Sequence, residues 1–118
     1  MPIGKRWSKY TKDNVGGVSN IYGTYELADG DQYVVYIGEG KLYDRLMAHF
    51  AKGGSDPIPA VSYFRYEETR SKQRAEQRQN ALLSEFKRKY GKLPKYNQKK
   101  SWIICLPFIN STELRIMN

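Results

Sequence analysis

Two short runs rich in Tyr, Val and Ile, YGTYEL and QYVVYI, lie either side of the four residues ADGD and constrain the fold more than anything else in the chain. Runs of this kind, bounded by turn-forming residues, are the signature of a β-hairpin. Gly30-Asp31 suits a two-residue type II′ turn and Asp29-Gly30 suits type I′. The first turn sets Tyr25 directly across from Tyr36. The second sets Tyr25 across from Val34 and diagonal to Tyr36. Alternate side chains share a face, so either register puts both phenols on one side of the sheet. A loop with an odd number of residues would break that relation.

The hairpin runs into GEGK and then LYDRLMAHF. Gly38 and Gly40 are expected to form a glycine loop that turns sharply and lets the backbone approach a ligand. From Leu42 onward, Leu42, Leu46 and Phe50 recur with the spacing of an amphipathic helix over about 42–51. Arg45 and His49 share an i, i+4 relation, so they stack along one edge of that stripe. GEGK is not a phosphate-binding P-loop, because Val35 stands where the earlier glycine belongs and Leu42 replaces the Ser or Thr.

One domain is expected from 118 residues, with no signal peptide, repeat or low-complexity segment. WIICLPFI is too short to span a bilayer. A single cysteine, Cys105, excludes an internal disulfide and a cysteine-based zinc site, which points to a cytoplasmic protein with no membrane partner. Residues 71–100 carry ten Lys or Arg against two Glu, a surplus equal to the +8 of the whole chain. A basic block with interspersed tyrosines is the footprint of phosphate-backbone binding. Its plain alternative is a solvated helix face.

Residues 1–20 read as a basic N-terminal arm with one helical turn near 11–14, residues 21–100 as the main domain, and 101–118 as an apolar C-terminal tail packed on it. A third strand is expected in AVSYFRYE, with a long helix over about 71–90 that ends at Gly91. KLPKYN then reads as an extended closing segment. The fold class is a small α/β domain, a three-stranded, mainly antiparallel sheet flanked by helices.

The GTY at 23–25, the intact YIG at 36–38, and Arg45 and His49 on the next helix resemble the GIY-YIG nuclease domain, over about residues 22–97. The resemblance implies metal-dependent hydrolysis of DNA phosphodiester bonds, with Mg²⁺ or Mn²⁺ held by a Glu on a later helix and an Asn after a Pro closing the domain. Pro94 and Asn97 fit that closing pair. For the acid, the family's spacing back from Pro94 favours Glu85. Helix geometry favours Glu76, at the margin of the arc that must face the core, and Glu76 is the expected ligand.

The catalytic set is then Tyr25, Tyr36, Arg45, His49 and Glu76. Tyr25 is the expected general base, Tyr36 places water or phosphate, and Arg45 neutralises phosphate with its planar fork of donors. His49 is expected to contact phosphate or a Tyr hydroxyl. Lys41, Arg78, Lys87, Arg88 and Asn97 are candidate nucleic-acid contacts, with DNA the expected partner and RNA the alternative. Three departures from the family pattern support a second function, a catalytically inactive binding module of the same fold. GTY carries a polar middle residue, acidic Glu39 follows the YIG, and the loop to Arg45 is about one residue short. A third reading makes the chain an interaction domain that uses WIICLPFI as its interface.

Overall fold

A computed structural model describes residues 3–4, 6–50 and 52–98. The expected packing of residues 101–118 on the domain lies outside these. In chain order the elements are β1 (Ser8–Lys9), α1 (Lys12–Gly16), β2 (Tyr22–Ala28), β3 (Val34–Lys41), α2 (Leu42–Ala48), β4 (Tyr63–Glu68) and α3 (Lys72–Tyr90). The strands form one antiparallel sheet in the order β1-β4-β2-β3. The sheet therefore has four strands rather than the expected three. The added one comes from the segment that reads as an arm. Trp7 lies against the Arg65 guanidinium at 4.1 Å, and Tyr10 stacks on Phe50 at 4.3 Å, which fasten that segment to the sheet edge.

Neither two-residue turn forms in the hairpin. Ala28 pairs with Val34, so residues 29–33 make a loop of odd length, closed by the Asp29 carboxylate accepting from the main-chain N–H groups of Asp31 and Tyr33. Next to the loop the register shifts, and Leu27 pairs with Tyr36 instead of Val35. This bulge adds one residue to β3 and restores the parity that the odd loop removes. Tyr25 consequently pairs with Gly38, diagonal to Tyr36 and on the same face. The GEGK segment is not a loop. It continues β3, with Gly23 paired to Gly40, and α2 starts directly after Lys41.

Helices cover both faces of the sheet. On one, Tyr25, Leu27, Tyr36 and Phe64 pack with Val15 of α1 and with Leu42 and Leu46 of α2. On the other, Ile37 meets Leu82 of α3 and Ile3. Ser71 caps α3 by accepting from the Arg74 N–H, and Gly91 ends it in the left-handed conformation at φ 81°. KLPKYN is not extended: residues 95–98 are helical, opened by Pro94, whose carbonyl accepts from the Asn97 and Gln98 N–H groups. Among the described residues, no helix is long and apolar enough to cross a membrane.

Candidate active site

The hairpin brings Tyr25 and Tyr36 together with ring centroids 6.1 Å apart. His49 ends α2 as its C-cap, and its ring lies 5.6 Å from that of Tyr25 and 5.1 Å from that of Tyr36. Such close approach requires Gly38. A Cβ there would collide with the Tyr25 phenol and the Tyr36 ring, so the glycine of YIG makes room for the tyrosine across from it. Its role is packing, not a backbone turn toward a ligand.

The Tyr25 hydroxyl lies 2.6 Å from His49 Nε2, and His49 Nδ1 lies 2.8 Å from the main-chain carbonyl of Asp56. A carbonyl only accepts, so the hydrogen-bond network assigns the ring proton to Nδ1. Nε2 then carries the lone pair and accepts the Tyr25 O–H. Burial pushes the Tyr25 pKa well above the usual phenol value and the nearby Tyr36 adds to the rise, while Arg45 opposes both by its charge and a hydrogen bond. Burial works against the Arg45 charge, yet the two phenols and Asp56 more than offset it.

Arg45 reaches outward from this buried pair. Its Nη2 lies 3.3 Å from Asp56 Oδ2, and its side chain borders a cleft of about 440 Å³ with Tyr36, Glu39, Lys41, Lys72 and Gln79. Tyr25 and His49 do not border the cleft. Both are fully buried behind it, so His49 is placed for the Tyr-hydroxyl contact and not for a phosphate.

The candidate metal ligand lies at the margin. Glu76 is half exposed on α3, does not border the cleft, and shares Lys72 with Glu39, each carboxylate 3.7 Å from the ammonium. Glu85 lies farther along α3 beside a separate cavity of about 850 Å³, with Trp7 and Phe86. Sequence reasoning counted Glu39 against phosphate binding and missed its place here. Its Oε1 is buried without a hydrogen-bond partner, at the wall of the cleft. By its chemistry a bare carboxylate oxygen suits a hard divalent cation, but the Lys72 ammonium stands between Glu39 and Glu76, 3.7 Å from each. No group of three or more metal-ligating side chains exists among the described residues.

The expected nucleic-acid contacts separate. Lys41 is exposed at the cleft, and Lys87 and Arg88 are exposed near the far end of α3, roughly 22 Å from Lys72 at the helical rise per residue. Arg78 is engaged with Glu67, Nε to Oε1 at 2.6 Å. Asn97 is buried and holds strand β3, its Oδ1 accepting from Ile37 N–H at 2.8 Å and its Nδ2 donating to Ile37 C=O at 2.9 Å. Asp56 was legible only as a loop residue, since nothing in KGGSDPIP signals its contacts.

A family model described as a domain of unknown function, DUF7508, matches residues 1–89. The chain belongs to the DUF7508 family. The DUF7508 match spans the N-terminal strand as well as Tyr25, Tyr36, Arg45, His49, Asp56 and Glu76, and stops before Asn97. No protein of curated function matches the chain in sequence.

Proposed function

We propose that this domain is a metal-dependent endonuclease of the GIY-YIG type that hydrolyses DNA phosphodiester bonds in the cytoplasm. The observation that carries the reading is the Tyr25 O–H···Nε2 His49 hydrogen bond directly behind Arg45 and Tyr36. Four side chains nominated by motif converge there from two strands and a helix. Phosphodiester hydrolysis needs a base for the attacking water and cations for the phosphate. Tyr25 can release its proton to His49 Nε2, and the resulting phenolate, facing Arg45, accepts a proton from water. Tyr36, at the cleft wall, orients that water. Arg45, Lys41 and Lys72 balance the phosphate charge. A bound Mg²⁺ or Mn²⁺, held by Glu39 and Glu76, would supply Lewis-acid stabilisation of the leaving oxygen.

One observation favours the second reading, a binding module without chemistry. The Tyr25 phenol is fully buried and borders neither of the two cavities described above. Incubation of supercoiled DNA with the protein and Mg²⁺ or Mn²⁺ separates the two. Nicking that is abolished by chelation and by Arg45→Ala supports the enzyme. Intact DNA across supercoiled, branched and single-stranded substrates, with binding retained, supports the module.

A further inference from the structure

The loop between α2 and β4 is fastened over the C-terminus of α2. Asp56 N–H donates to the Ala48 carbonyl at 2.9 Å, and Ile58 N–H donates to the His49 carbonyl at 3.1 Å. Ile58 is buried in the core, and Gly54 lies so close that a Cβ would collide with the carbonyls of Ala48 and Phe50. The loop is therefore fixed relative to the helix that carries Arg45 and His49. Asp56 touches both. Its main-chain carbonyl accepts from His49 Nδ1 at 2.8 Å, and its carboxylate Oδ2 lies 3.3 Å from Arg45 Nη2 and 3.8 Å from His49 Nδ1.

We infer that Asp56 is a positioning residue for the reaction. Its carbonyl fixes His49 in the tautomer that accepts the Tyr25 proton, and its carboxylate holds Arg45 at the cleft and balances the imidazolium. The inference rests on the nuclease reading for the word reaction; the geometry is independent of it. A histidine free to take the other tautomer would present an N–H to the Tyr25 oxygen, and the phenol would then lose its Nε2 acceptor. The main-chain carbonyl removes that choice. Among the described residues, Tyr25 from β2, Tyr36 from β3 and Asp56 from the loop lie against the ring, and Arg45, one turn earlier on α2, shares the Asp56 carboxylate with it. Arg45 disfavours a second positive charge beside it, and Asp56 supplies the compensating negative one. Proton transfer from Tyr25 to His49 thus moves a charge toward a carboxylate already in place.

His49 is the only histidine in the chain, so ¹⁵N spectra of the whole protein report one imidazole. Wild type at pH 8 should show the Nδ1-protonated tautomer. Asp56→Asn keeps the main-chain carbonyl, so it should keep the tautomer while lowering the imidazole titration midpoint by about one pH unit. Asp56→Glu should return the midpoint toward wild type and controls for any fold damage in the Asn variant. In cleavage assays, the acid limb of the rate profile should move down with the midpoint, and KM for DNA should rise about threefold to tenfold as Arg45 loses its anchor. An Nε2-protonated ring in wild type, or an unchanged midpoint in Asp56→Asn, overturns the inference. The spectra need no substrate. Absence of cleavage by wild type would remove the nuclease reading alone, whereas an unchanged midpoint would remove the role of Asp56.

Discussion

At the residue scale, the tyrosines divide the work between depth and access. Tyr25 holds the bond to His49, and Tyr36 borders the cleft. Tyr25→Phe leaves His49 Nε2 buried without its donor, which should cost about 1–3 kcal/mol of stability in urea titrations. If Tyr25 is the base, the same variant should also lose about 10²–10⁴ in cleavage rate. A larger rate loss in Tyr36→Phe would transfer the base role to Tyr36. Gly38→Ala forces a methyl into both rings and should destabilise by about 2–3 kcal/mol, seen as a lowered Tm. Arg45 and His49 were legible because helical spacing fixes their shared edge; Tyr25 and Tyr36 share a face as expected, but through a bulge that offsets an odd loop and that spacing alone does not signal. Asp56 and Glu39 were not legible, because each takes part through tertiary contacts: a carbonyl accepting from a helix end, and a carboxylate turned into a cleft wall.

At the element scale, α3 was nearly complete in the sequence, since Ser71 and Gly91 mark its ends by local capping chemistry. Strand β1 was not legible. Two exposed residues, Ser8 and Lys9, carry no hydrophobic alternation, and their strand exists only because Trp7 and Tyr10 anchor the chain on either side. The helical turn at 95–98 was likewise hidden in a segment whose Pro reads as a breaker. It delivers Asn97 to the edge strand β3, where one amide pairs with both main-chain groups of Ile37 and Gln79 Nε2 shares the carbonyl. Asn97→Ala should therefore act as a structural lesion, with a loss of about 1–3 kcal/mol, because it leaves the buried Ile37 N–H without its acceptor while the Ile37 carbonyl keeps the Gln79 Nε2 donor at 3.1 Å. Protection of the Ile37 amide in hydrogen exchange should fall with it. DNA affinity should change little in a variant that remains folded, in contrast to the nucleic-acid contact expected from sequence.

At the scale of the whole molecule, the positive charge is distributed along α3 and beyond instead of being concentrated at the cleft. Binding to duplex DNA should weaken steeply with salt, with about −0.9 added to the log–log slope per neutralised phosphate. Lys87→Ala and Arg88→Ala should make that slope shallower. Arg78→Ala should leave it nearly unchanged, because Glu67 already neutralises that guanidinium. A slope near zero in wild type would remove nucleic acid as a partner. Stability has its own pH dependence. Burial raises the pKa of Tyr10 and, together with Tyr36, that of Tyr25, so the folded state binds these phenol protons more tightly than the unfolded chain does. Their contribution is complete below the ordinary phenol value of about 10 and is lost progressively as pH rises from there through the raised values of the folded state. Urea midpoints should hold between pH 8 and 9 and fall by pH 11, less steeply in Tyr10→Phe.

The bulge beside Val35 gives the hairpin one residue of slack. Because Leu27 pairs with Tyr36 whatever lies between the pair and the turn, the number of residues separating the two tyrosines is not what the site depends on. A chain lacking one residue there could lay β3 down flat, without the kink, and keep the same phenols against the same histidine. Deleting Val35 should cost the burial of one side chain, about 1.5–3 kcal/mol, and leave the Tyr25–His49 contact standing. Relatives that differ by a residue at this turn would then share a working centre that a comparison by fixed spacing passes over.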